Sequence, residues 1–239
     1  MPQLNLDDDL GLSDFDMDMF LDDDYDVIKP LKTTPFARVK RHKRPRTVKY
    51  EYAAQLAKDI GQLEEDEHIF SIISGNFIAG DFIEAWLIEN DFIAEEIIIA
   101  NYSISQENID SFINIFETDR VERIGLIVSD YFFSHERKNL IEYCVTELAD
   151  WNFYIAAAGI HTKITLIKTV CGQHIVIGGS ANLRSSRSVE QLTIDNSKVL
   201  YDFNREWMSK LLNDYHVNHK SLRAGKLWQA VAQNGKNTT

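Results

Sequence analysis

His161 and Lys163 stand one residue apart, a run of small residues follows at Gly178-Gly179-Ser180-Ala181-Asn182, and Glu190 lies eight positions beyond Asn182. On an extended chain, positions i and i+2 face the same way, so the imidazole and the ammonium share one side. An imidazole can act as a nucleophile, and a neighbouring ammonium favours attack on a centre that carries negative oxygens. Thr162 to Lys168 and Gln173 to Ile177 read as the arms of a hairpin turned near Cys171-Gly172, which carries the small-residue run back toward His161. Its glycines permit close backbone approach, and Ser180 and Asn182 supply neutral hydrogen bonds. Together these residues predict a cradle for a phosphoryl group, and Arg184 and Arg187 follow where they would reach flanking phosphates.

The ordered set H-x-K, then G-G-S-A-N, then E resembles the signature of the phospholipase D superfamily in His161, Lys163, Gly179, Ser180, Asn182 and Glu190. Two features depart from that signature. Lys168 occupies the position of its aspartate, and the stretch from His161 to Asn182 is longer. An even insertion divided between the two hairpin arms keeps every side chain on its face.

The resemblance implies a mixed α/β domain and a phosphodiesterase that uses neither metal nor cofactor. In such an enzyme His161 attacks phosphorus and water hydrolyses the phosphohistidine. It further implies that Lys163, Ser180 and Asn182 neutralise the non-bridging oxygens, and that Glu190 holds the His161 tautomer. A second imidazole is needed as general acid for the leaving group. Single-motif members of the family obtain it by forming a C2 homodimer around a shared site, which makes a homodimer the expectation here. His135 and His174 are internal alternatives.

The surrounding pattern supplies elements to hold these groups. Ala53, Leu56, Ala57 and Ile60 recur at helical spacing, and strand-like runs at 68–74, 96–100 and 123–129 alternate with helical runs at 80–90 and 105–118. A loop over 130–134 and a helix over 135–149 follow, with Ser134 as its N-cap. Strands at 152–158 and 189–194 and a helix over 197–215 complete the body. Strands alternating with helices predict an α/β fold with a largely parallel sheet flanked by helices. Asp130, Glu136 and Arg137 fall near one sheet end, where open α/β sheets bind ligands.

Charge is distributed unevenly along the chain. Residues 1–26 hold ten Asp and no Lys or Arg, residues 29–49 hold nine Lys or Arg and no acid, and residues 50–239 hold 16 basic and 27 acidic side chains. The reading is a disordered N-terminal extension over 1–49, acidic then basic, a phospholipase D-like domain over 50–233 and a frayed end at 234–239. The folded body repels polyanions on average, so affinity for nucleic acid must be local. Arg38, Lys40, Arg41, Lys43, Arg44 and Arg46 are the residues suited to provide it. The acidic tail is expected to fold back on this segment or to dock a protein partner.

Two cysteines, no paired metal-ligand spacing and no apolar run of roughly 18 residues argue against disulfide stapling, a zinc site and a membrane span, and favour the cytoplasm. The resemblance, taken with the phosphate contacts that the basic segment offers, makes nuclease action on DNA or RNA the expected function. The competing expectation is an inactive module of the same fold that binds nucleic acid or protein, and a lipid substrate is a third.

Overall fold

The computed structural model describes the backbone of residues 38–41 and 45–46, and the chain over 53–73, 79–183 and 189–217. The acidic tract, Lys43, Arg44, Arg184, Arg187 and the C-terminal end fall outside these residues. Nine strands and six helices are placed among the described residues, in chain order. They are β1 (Arg38–Arg41), β2 (Pro45–Arg46), α1 (Ala53–Ile60), β3 (His68–Ile73), α2 (Ala79–Glu89), β4 (Ala94–Asn101), α3 (Gln106–Glu117) and β5 (Ile124–Ser129). Then come α4 (Asp130–Glu136), α5 (Leu140–Glu147), β6 (Phe153–Ala158), β7 (Ile164–Thr169), β8 (His174–Gly179), β9 (Glu190–Asn196) and α6 (Lys198–Asp214).

All nine strands join one sheet in the order β2-β1-β3-β9-β8-β7-β4-β5-β6. The sheet is mixed, as expected, but its balance is antiparallel: β4, β5 and β6 pair in parallel and every other pairing is antiparallel. The expectation of a largely parallel sheet is corrected here, for an identifiable reason. β3 and β4 run in the same direction and are joined through α2, as in a parallel crossover, yet the meander β7-β8-β9 is inserted between them. Alternation along the chain reports direction, whereas adjacency depends on strands that arrive much later in the chain.

Helices cover both faces of the centre. Along β4, Ile97 and Ile99 face the core that contains α1, α2 and α3, and Ile98 and Ala100 face the core under α6 with Tyr201 and Met208. All six residues of β5 are buried, as a strand covered on both faces requires. A Cβ on Gly125 would stand 2.5 Å from Leu212 Cδ1, so α6 lies directly over this glycine and a larger residue would push the Leu212 side chain aside. The helix is tied down by the Glu96 carboxylate, which accepts from Tyr201 Oη at 2.9 Å and Arg205 Nε at 2.6 Å and faces Arg123 at 2.8 Å. Burial alone would raise Glu96, but these hydrogen bonds and guanidinium charges outweigh it and hold the carboxyl below its usual range.

Two local expectations also change. The stretch 130–134 is helical rather than a loop: Ser129 caps α4, accepting from Phe132 N–H at 3.0 Å, and His135 lies in the last turn of that helix, so Ser134 is not an N-cap. Two consecutive buried aromatics, Phe132 and Phe133, mask the helical period in so short an element. The basic run, read as part of a disordered extension, contributes paired backbone at Arg38–Arg41 and Pro45–Arg46. Pro45 sits on the outermost of the described strands, the part of a sheet where proline is tolerated.

Candidate active site

The β7–β8–β9 meander gathers the predicted residues at one end of the sheet. Ile164, the first residue of β7, lies opposite Gly178 of β8 and Ala100 of β4, and Glu190, the first of β9, lies opposite Ile73, the last of β3. The segment 159–163, the run 180–183 and Glu190 therefore emerge together beside the C-terminal ends of β4 and β5. His161 and Lys163 stand on irregular backbone just ahead of β7 rather than on the strand, because a tight turn donating Ile160 N–H to the Ala158 carbonyl at 2.8 Å ends β6 there.

His161 is exposed, with its ring 5.1 Å from that of Tyr102 and inclined at 54°. Lys163 is half-buried, and its ammonium donates to the His161 carbonyl at 3.2 Å. Partial desolvation pushes the Lys163 pKa down, against an opposing pull from the Glu190 carboxylate. Ser180 is held by β9 on two sides, its N–H donating to Gln191 O at 3.0 Å and its hydroxyl accepting from Gln191 N–H at 2.9 Å. The same hydroxyl donates to Glu190. Glu190, expected to orient the imidazole, thus engages Ser180. A Cβ on Gly179 would fall 2.2 Å from the Gln191 carbonyl oxygen, so this glycine is required by the approach of β9.

Asn182 is positioned through its neighbour. Leu183 is 1% exposed, its N–H donates to Asn101 Oδ1 at 3.1 Å, and its carbonyl accepts from Asn108 Nδ2 at 2.7 Å and Ser105 N–H at 2.8 Å. Asn108, fully buried, also accepts from Gly80 N–H at 2.8 Å, which joins the start of α2 and the first turn of α3 to the Asn182 loop. Among the described residues, Asn182 Oδ1 is buried without a hydrogen-bond partner.

Sequence reasoning missed Asn101, Asn108 and Tyr102. A polar residue ending the apolar run Ile97-Ile98-Ile99-Ala100 was the available signal for the first and, one step on, for the third; Asn108 inside an amphipathic helix gave none. Asn108→Ala strands the Gly80 N–H and one acceptor site on the Leu183 carbonyl. It should cost about 3 kcal/mol, read as a lower urea midpoint with an unchanged slope.

Other predicted positions lie elsewhere. Lys168 pairs with Glu95 and sits five residues up β7 from Lys163, roughly 16 Å along the strand, so the departure from the family signature falls outside this cluster. His174 opens β8 at the far end, its ring edge-on to Tyr201 at 5.2 Å. His135 is exposed on α4, its Nδ1 2.8 Å from the Tyr131 carbonyl. Asp130 begins α4 beside the site segment, one of its oxygens lying 3.8 Å from where a Gly159 Cβ would be. Glu136 and Arg137 stand at the other end of that helix. A cleft of about 290 Å³ lined by Glu96, Arg123, Asn152 and Arg205 opens at the opposite end of β4–β6 and contains none of the predicted residues. Among the described residues no group of three His, Cys, Asp or Glu is placed to hold a metal ion, and no helix is long and apolar enough to cross a membrane.

No protein-family profile and no curated protein matches the sequence. Among solved structures, the chain is similar to NucT from Helicobacter pylori, with 18% identity and a TM-score of 0.42 over 53% of this chain and 84% of that one. It is also similar to a phospholipase D family member, Nuc from Salmonella typhimurium, with 13% identity and a TM-score of 0.45 over 62% and 99%. Phosphatidylserine synthase from Haemophilus influenzae gives 10% identity and a TM-score of 0.41 over 70% and 46%.

Proposed function

We propose that this chain is a phospholipase D-like phosphodiesterase that cleaves nucleic acid. The observation carrying the reading is the convergence of His161, Lys163, Ser180 and the Asn182 loop at one sheet end through the β7–β8–β9 register. In the first step an imidazole nitrogen lone pair of His161 forms a bond to phosphorus as the bond to the leaving oxygen breaks, and a general acid gives that oxygen its proton. In the second, water attacks phosphorus, passes its proton to that acid's conjugate base, and the P–N bond breaks. Splitting one displacement into two lowers each barrier. Lys163 and the Asn182 amide face the charge that spreads over the non-bridging oxygens, and Ser180 holds the Glu190 carboxylate by donating its hydroxyl to it. The general acid is the imidazole of a second copy of this chain in a C2 dimer.

The basic residues favour nucleic acid over lipid. Arg38 lies opposite Ile72 on the sheet edge, one position from the β3 end that faces Glu190, so the cationic segment begins at the site's end of the sheet. End-labelled DNA and RNA offered to the full chain in EDTA should be cut. Binding without cutting would identify the inactive binding module instead, and cleavage of phosphatidylcholine alone would identify a lipid enzyme.

Lys163 gives the reading a second test. Lys163→Gln should lower kcat/KM by about 10²-fold, because it removes a charged donor aimed at the non-bridging oxygens, and Lys163→Arg should recover part of that loss. An unchanged kcat/KM in Lys163→Gln would remove Lys163 from the site.

A further inference from the structure

Four rings run outward from the candidate nucleophile. His161 lies against Tyr102, Tyr102 is stacked on Tyr131 with centroids 6.2 Å apart and planes 20° from parallel, and Tyr131 lies 4.0 Å from His135. The two tyrosines come from different elements: Tyr102 directly follows β4 and Tyr131 is the second residue of α4. Both are half-buried, and the histidines at either end of the row are exposed. Both elements are anchored, since Ser129 donates its hydroxyl to the Tyr102 carbonyl at 2.8 Å and also caps α4. The row is therefore fixed relative to the site, and Glu136, Arg137 and Lys138 follow it in sequence.

We infer that Tyr102 and Tyr131 form a stacking platform for the bases of a single-stranded nucleic acid whose phosphate enters at His161, so that the unpaired strand is the substrate class. This rests on the proposed phosphodiesterase reading. Bases within a duplex have both faces covered and cannot use such a platform, whereas an unpaired strand offers its π-faces whatever its sequence. The edge of the row is polar, with the two phenol hydroxyls and the Asp130 carboxylate close by; Asp130 Oδ1 accepts from Tyr131 N–H at 2.7 Å. That negative charge opposes a phosphate beside the rings but suits the amino groups of bases. Desolvation, with Tyr131 and Asp130 adding to it, raises the Tyr102 pKa and keeps its ring neutral.

The test compares a fluorescein-labelled single strand with the same strand made abasic, by anisotropy, in His161→Asn protein, which lacks the nucleophile but keeps a planar polar group. Binding should be roughly tenfold tighter to the strand that carries bases. Tyr131→Leu should erase that preference and Tyr131→Phe should keep it. To separate loss of the ring from any disturbance of α4 by Tyr131→Leu, 2-aminopurine in the strand gives a second reading: its emission should be quenched on binding to the parent protein. Equal affinity for both strands, or no quenching, overturns the platform. Cleavage of both strands by the parent with equal affinity would leave the phosphodiesterase and remove the platform. A base preference without any cleavage would do the reverse, and failure to bind either strand would overturn both.

Discussion

Replacing His161 with alanine is expected to lower kcat for phosphodiester cleavage by at least about 10⁴-fold, because the substitution removes the proposed nucleophile and leaves only the surrounding charge stabilisation. The ring is exposed and rests on Tyr102, so the fold should be retained, and far-ultraviolet circular dichroism and the urea midpoint should match the parent. The same variant reports on the shared site. If two copies of the imidazole meet at one phosphate, activity in mixtures allowed to exchange subunits should fall with the square of the parent fraction. A linear fall would mean that each chain carries its own acid, and His135 would then be the group to replace next. Retained activity in His161→Ala would mean that this imidazole is not the nucleophile.

The second large effect concerns the cationic segment. Replacing Arg38, Lys40, Arg41, Lys43, Arg44 and Arg46 together with serine should weaken binding of single strands by about 10²-fold near 0.1 M salt. It should also make the dependence of log K on log salt shallower by about 0.7 for every phosphate that the substituted segment no longer neutralises. The rest of the body carries 16 basic against 27 acidic side chains over residues 50–239, so no general positive field takes over. At a saturating strand concentration kcat should change far less than KM, since Arg38, Lys40, Arg41 and Arg46 lie on β1 and β2 at the sheet edge and not in the cluster around His161. An unchanged salt slope would assign the segment a different partner.

Much of the fold was legible because burial imposes periods that the chain must obey. Ile109, Phe112 and Phe116 at helical spacing gave α3, and the apolar run ending at Asn101 gave β4. The hairpin was legible too, because Gly172 takes the positive φ of +92° that its turn requires. Strand adjacency was not, since nothing local to β3 or β4 reveals that three later strands separate them. In the site, the side chains proposed to meet a phosphate were chosen from their types and spacing, and the meander brings their segments to one sheet end. Those that hold them were not legible: Asn101 and Asn108 act on the backbone of Leu183, and such contacts leave no periodic trace. The register that brings Glu190 to the cluster also lets its carboxylate accept from the Ser180 hydroxyl, a contact that spacing alone did not suggest.

The proposed chemistry turns on a covalent bond between His161 and phosphorus. That bond can be sought by mixing the full chain with an excess of oligonucleotide in EDTA, stopping the reaction with alkali, in which phosphohistidine survives, and mapping the adduct by peptide mass. A phosphoryl-linked nucleotide should accumulate on the peptide containing His161 before the steady state and be absent from His161→Ala. Steady cleavage with no adduct at His161, or an adduct carried by another residue, would show that the nucleophile lies elsewhere.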